Sequence, residues 1–215
     1  MVHLQDFTFN AFAENTFLLW DDHKQGTIID PGCYDKEEIE ILADFITQEN
    51  IQIKQIVATH CHVDHVLGVS ALKHKYRVPY IIPEKEKSVL QAVKVYAPMY
   101  GFQLYQEAEA DAYFDGTQEI RVGNEKGKIL QVPGHSPGHV AFYFEKEKFV
   151  IGGDVLFRES IGRTDLPGGS FDVLINSIHQ QLFVLPDDVV VYPGHGPATT
   201  IDYEKKYNPF CAIRS

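Results

Sequence analysis

Thr59-His60-Cys61-His62-Val63-Asp64-His65 is the stretch that decides how this chain is read. It follows Ile53-Lys54-Gln55-Ile56-Val57-Ala58, a short run that reads as a strand. His60, His62, Asp64 and His65 place four potential metal ligands within six residues. In extended backbone, side chains at i and i+2 point the same way, so His60 and His62 can grip one ion together. Strict alternation would turn His65 to the opposite face. The chain is expected to enter a helix there, and the change of direction lets Asp64 and His65 converge on a neighbouring position.

Three later segments are built alike. They are Pro133-Gly134-His135-Ser136-Pro137-Gly138-His139, Ile151-Gly152-Gly153-Asp154, and Tyr192-Pro193-Gly194-His195-Gly196. Each sets a polar residue beside glycine, which lets backbone approach a ligand closely. Taken singly, each also reads as an ordinary loop histidine or a turn aspartate. Together with the first stretch they offer five imidazoles and two carboxylates. A catalytic zinc takes about three protein ligands and a water, so seven candidates suit two ions. If Asp154 bridges, His60, His62 and His135 complete one site, and Asp64, His65 and His195 the other. Histidine and carboxylate accommodate zinc, iron or manganese; two divalent ions, zinc first among them, are the expectation. Such a pair activates a bridging hydroxide and polarises a carbonyl, which suits hydrolysis of an ester, thioester, lactone or amide. Asp64 and Asp154 are the expected catalytic carboxylates. No Ser/His/Asp arrangement is read from the sequence, so no covalent acyl-enzyme is expected.

Outward from these segments, the first ~30 residues alternate around turn signals and read as antiparallel strands. Residues 35–49 carry Ile39, Leu42, Ala43 and Ile46 at helical spacing. Helices are expected over 66–76, 84–100 and 171–183. Strands are expected at 78–82, near 118–122, 128–132, 140–144 and 148–152, and at 189–192. The pattern points to an α+β chain of two sheets flanked by helices, an αββα four-layer sandwich, among several α/β or α+β options. The 215 residues are expected to form a single domain.

Composition excludes several classes. Acidic groups outnumber basic ones to give a net charge of −11, so no cationic footprint for nucleic acid is expected. The expected partner is a small molecule. Cys33, Cys61 and Cys211 are odd in number and scattered, so a reduced, cytoplasmic setting is expected rather than a disulfide framework. No signal peptide and no membrane span is expected. Cys61 reads as filler between two ligands, and His3, His23, His74 and His179 as surface or structural residues. Tyr96, Met99 and Tyr100 read either as a substrate mouth or as core.

The seven positions His60, His62, Asp64, His65, His135, Asp154 and His195 match, in order, the HxHxDH…His…Asp…His signature of the metallo-β-lactamase superfamily, which this chain resembles. The resemblance implies the αββα sandwich and a dinuclear site at one edge. Asp30-Pro31-Gly32, Gly153-Asp154-Val155-Leu156-Phe157 and Asn208-Pro209-Phe210 look like those of glyoxalase II, in a short subgroup lacking its C-terminal helical region. That likeness implies cleavage of S-D-lactoylglutathione or a related thioester to a hydroxy acid and free thiol. Where glyoxalase II has a Lys and a Tyr near the substrate, this chain has Arg163 and Asp165; Arg163 reads either as the candidate for an anionic thiol carrier or as half of a surface-loop salt bridge. Asp30 is expected either to orient a ligand histidine or to shape the turn before Pro31, and His139 to support His135 or a turn. Persulfide dioxygenases are a rival reading, with one iron on His60, His135 and Asp154 and a similar Gly-Arg-Thr-Asp at 162–165. A metal-binding protein without turnover is a third.

Overall fold

The computed structural model describes residues 1–114 and 119–213, and the chain divides into two compact units, Met1–Asp115 with Arg121–Lys126, and Gly116–Ile120 with Gly127–Ser215. The strand expected near 118–122 begins at a residue outside the described ones; Glu119–Val122 is a strand.

In the first unit, β1 (Val2–Phe9), β2 (Glu14–Asp21) and β3 (Gln25–Ile29) run antiparallel, with Leu18 opposite Ile28. β4 (Gln52–Val57), β5 (Tyr80–Pro83) and β6 (Ala112–Phe114) then add in parallel, in the order β1-β2-β3-β4-β5-β6. Parallel neighbours need crossover connections, and α1 (Lys36–Gln48), α2 (Val69–Tyr76) and α3 (Lys87–Tyr96) lie in them. Asp35 caps α1 by accepting from the Glu38 amide at 2.9 Å. α1 buries Leu42, Ala43 and Ile46, the stripe its periodicity foretold. Leu42 and Ile46 join Leu18, Ile28, Ile56, Leu72, Tyr80 and Ile82 in one core.

The second sheet has the strand order β14-β13-β10-β9-β8-β7: β7 (Glu119–Val122), β8 (Glu125–Gln131), β9 (Val140–Phe144), β10 (Phe149–Gly153), β13 (Val190–Pro193) and β14 (Thr199–Thr200); Arg121–Lys126, at its β7–β8 end, belong to the first unit. A small hairpin of β11 (Leu156–Phe157) and β12 (Ser160–Ile161) follows β10. α4 (Phe171–Ser177) continues into a wider turn, Ile178–Leu182, and α5 (Ile201–Tyr207) comes last. β9 and β10 are buried along their whole length, as apolar runs without alternation require. Val132, Ala141, Val150, Leu174, Ile178 and Val191 form the core. No helix among the described residues is long and apolar enough to cross a membrane.

Sheet direction is what gathers the polar residues. β3 and β4 are parallel, and β2 runs against β3, so the C-terminal ends of β3 and β4 and the start of β2 share one edge. That edge carries Glu14, Asp30 and the 59–65 stretch. In the second unit, β8 and β10 both run against β9, and β13 runs with β10. The C-terminal ends of β8, β10 and β13 therefore share an edge, from which the chain runs on to His135, Asp154 and His195.

Candidate metal centre

After Val57 the chain leaves β4 as open loop and tightens into a 3-10 turn at Val63–His65. The helix foreseen from residue 66 is thus preceded by this turn, and α2 starts at Val69. Extended backbone at His62 followed by a tight turn gathers these side chains. The His60 and His62 rings lie 4.7 Å apart and nearly perpendicular, and the His60 and His65 rings 4.2 Å apart. Asp64 Oδ2 is 3.8 Å from His65 Nε2. His60 and His65 are fully buried, Asp64 nearly so, and His62 is partly exposed.

Asp30 organises this set. It is buried in left-handed backbone (φ 49°), and its Oδ1 accepts from the Thr59 amide at 2.7 Å. Its Oδ2 accepts from the Thr59 hydroxyl at 2.5 Å and lies 3.2 Å from His65 Nδ1. With its proton spent on Asp30, the Thr59 oxygen can accept from His60 Nδ1, 3.1 Å away. Both histidines then carry their proton on Nδ1 and offer Nε2 as a lone pair. Asp30, His60 and His65 also bring one potential ligand atom each within 4.8 Å of one another. The hydrogen bonds to Thr59 and His65 use the Asp30 oxygens for support, which leaves ligation to the histidines.

Glu14 stands behind Asp30, wholly buried, with Oε1 3.7 Å from His65 Nδ1 and Oε2 bonded to the Thr16 hydroxyl. Burial pushes the Glu14 carboxyl well above the usual carboxylate range, against the pull of His65. Gly32 fits tightly here: a Cβ on it would meet Glu14 Oε2 at 2.1 Å and the Asp64 carbonyl at 2.4 Å. Asn10 Nδ2 donates to the carbonyls of Gly32 and Asp64 at 3.0 and 3.1 Å, tying the β1–β2 turn to the ligand loop.

In the second unit, Asp154 Oδ2 lies 3.6 Å from His135 Nε2 and 3.5 Å from His195 Nε2. Those distances exceed good hydrogen bonds. Donors held ~2.0–2.2 Å from a common tetrahedral ion stand ~3.3–3.6 Å apart, so this spacing fits a metal. His135 Nδ1 bonds the Arg163 carbonyl at 2.7 Å, again leaving Nε2 for ligation. His139 Nε2 accepts from the Asp154 amide at 3.0 Å, so it holds the backbone of Asp154 in place. Gly153, in left-handed backbone (φ 51°), and a register shift against β13 turn Asp154 out of β10. The Gly194 amide closes the same corner on the Gly153 carbonyl at 2.9 Å.

Arg163 presents two functions where the sequence suggested one. Its carbonyl fixes His135, while its guanidinium pairs with both oxygens of Asp165 at 2.7 and 2.8 Å on the surface. That pairing pulls the Asp165 carboxyl down to about 2. His3 pairs with Asp22, and His179 Nε2 contacts the Cys211 carbonyl. Cys33, Cys61 and Cys211 are buried free thiols. Tyr96, Met99 and Tyr100 are exposed rather than core. Sequence reading missed Glu14, Thr59 as a relay to His60, and Glu86, a buried carboxylate bonded to the Cys61 amide at 3.0 Å. Burial, which no local pattern displays, is the signal that finds them.

Comparison with known proteins agrees with this chemistry. A family model described as the metallo-beta-lactamase superfamily matches residues 10–195. The chain is 38% identical over 207 residues to the hydroxyacylglutathione hydrolase GloC of Haemophilus influenzae, covering 95% of this chain and 96% of that one. Among solved structures, the BLEG-1 B3 metallo-beta-lactamase superposes with a TM-score of 0.89 at 33% identity, over 98% of this chain and 100% of that one. TTHA1623, crystallised in a di-iron-bound form, superposes with a TM-score of 0.83 at 34% identity, over 96% and 99%.

Proposed function

Because the chain belongs to the metallo-β-lactamase superfamily, whose α+β fold it has, we propose that this metallo-hydrolase is a dinuclear thioesterase acting on hydroxyacyl thioesters such as S-D-lactoylglutathione. Within it, His60, His62 and His135 serve one divalent ion, Asp64, His65 and His195 the other, and Asp154 both, in a single domain spanning 1–215. Zinc and iron both suit this donor set. Two ions held there supply Lewis acidity to a substrate carbonyl and bring the pKa of a water down toward neutrality.

One observation carries the reading: three of the five candidate histidines, His60, His65 and His135, are oriented through Nδ1 by hydrogen bonds. Asp30 and Thr59 hold protons on the Nδ1 atoms of His65 and His60, and the Arg163 carbonyl does so for His135. Neutral imidazoles oriented through Nδ1 are what a divalent cation binds through the other ring nitrogen. Asp64 is positioned to take the proton released by the attacking water and to return it to the departing thiolate. His139 keeps Asp154 aimed through its amide. Arg163, exposed and paired with Asp165, can exchange that partner for a carboxylate of the thiol carrier.

The similarity to GloC supports the thioester class. The test measures metal content and S-D-lactoylglutathione hydrolysis on the same purified chain, with His60→Ala as control. About two metals per chain and turnover abolished in the variant are expected. One iron per chain, no thioester cleavage and persulfide-dependent oxygen uptake would overturn the proposal in favour of a dioxygenase. Two metals with no turnover on any thioester would leave a binding protein.

A further inference from the structure

We infer that Glu86 is a positioning residue for the His60–His62 pair, acting through the Cys61 amide; this rests on the metal-site reading above. β4 is flanked by β3 on one side and β5 on the other. The Asp30 amide bonds the Val57 carbonyl on the β3 side, and the Ala58 amide bonds the Ile81 carbonyl on the β5 side, 3.1 Å away. Alternation continues for one more residue, since the Thr59 amide turns back to the β3 side and meets Asp30. Were the strand to continue, the Cys61 amide would face the β3 side as well. Instead it meets Glu86 Oε2 at 3.0 Å, and Glu86 follows β5 in a short turn, Glu84–Glu86.

The backbone therefore rotates between Thr59 and Cys61, and the two carboxylates hold it at either flank. That rotation separates the pair from a flat i, i+2 arrangement: the His60 and His62 rings stand at 88° to each other. Glu86 is fully buried, and so is Cys61. A buried carboxylate is costly unless a specific interaction uses it. The Cys61 thiol points elsewhere, toward the Tyr80 hydroxyl at 3.8 Å, so the amide rather than the side chain is the point of control. Loss of the Glu86 acceptor would leave a buried N–H unsatisfied and release the peptide plane joining the two ligands.

The experiment compares wild type with Glu86→Ala, Glu86→Asp and Glu86→Gln. Metal is removed, and zinc and cobalt(II) affinities are measured by competition with a chromogenic chelator, alongside the Tm of the metal-free chains. Glutamine keeps an acceptor oxygen at the same reach; alanine has none, and aspartate falls one methylene short. Glu86→Ala and Glu86→Asp are expected to bind metal ~10–100-fold more weakly, with altered cobalt(II) visible bands, while Glu86→Gln stays within a few-fold of wild type. If Glu86→Ala does not fold, Glu86→Asp carries the test. Folded Ala or Asp variants binding like wild type would overturn the inference. So would a Gln variant as weak as Asp, because charge and not the amide contact would then matter. Wild type that takes up no metal would overturn the metal-site reading itself, an outcome distinct from either.

Discussion

Replacing Asp30 by Asn should weaken metal binding while leaving the fold. In the wild type three groups converge on this carboxylate: the Thr59 amide at 2.7 Å, the Thr59 hydroxyl at 2.5 Å and His65 Nδ1 at 3.2 Å. All three are buried. Asparagine supplies one acceptor oxygen and one NH2. With the oxygen kept on the Thr59 amide, the NH2 faces both the hydroxyl and His65 Nδ1. His65 escapes the conflict by moving its proton to Nε2, which removes the lone pair meant for the metal. The hydroxyl loses its acceptor, so it no longer sets the proton on His60 Nδ1. Leaving one buried donor unsatisfied costs ~1–3 kcal/mol. Losing an outer partner of a ligand histidine weakens metal binding ~10–100-fold, ~1.4–2.8 kcal/mol on the same scale. The assay is chelator competition on the metal-free chain, with circular dichroism and Tm as controls for folding. Asp30→Asn that binds two metals as tightly as wild type would refute the proton-placement argument.

Two further outcomes follow from packing and protonation. Gly162→Ala puts a Cβ 1.9 Å from the Asp154 carbonyl and 3.1 Å from His135 Nδ1; the backbone must shift, at ~1–3 kcal/mol, and a thermal melt together with metal content should both fall. Unchanged values would mean that the loop yields elsewhere. Glu14 has its folded-state pKa raised above the ordinary 4.5 by burial. In the metal-free chain its stabilising contribution is therefore complete below that value and lost as pH rises toward the folded pKa. Glu14→Gln keeps the shape without the titration, so the stability of wild type relative to the variant should decline as pH rises above 4.5. A flat difference across denaturant titrations in that window would show that burial does not hold the proton.

Much of the architecture could be read from residue order. The antiparallel start, α1, the strand before the histidine stretch, and β8, β9, β10 and β13 all follow from period and turn chemistry or clear apolar runs. β6, β11, β12 and β14 span only two or three residues, too few to show a period. The helix expected over 84–100 is interrupted: a 3-10 turn precedes α3, and another with Pro98 at its start follows it. α5 is too short and too polar for periodicity to reveal it, although Thr200 caps it by accepting from the Tyr203 amide.

The candidate site divides along the same physical line. Spacing alone named His60, His62, Asp64 and His65, because ligands so close in sequence are placed by local backbone geometry. Glycine-flanked strand ends named His135, Asp154 and His195. Superfamily membership was likewise legible, since ligand identity and order are properties of the chain. Asp30 was offered by the sequence, without its target; what the sequence could not supply is which atoms stand behind those candidate ligands. Asp30 reaches His65 across 35 positions, Glu86 reaches the Cys61 amide across 25, and Arg163 turns its carbonyl to His135 across 28. Those partners are chosen by sheet order and by burial. A hydrogen bond decides a tautomer only where water is excluded, and exclusion of water is a property of the packed chain rather than of any segment of it.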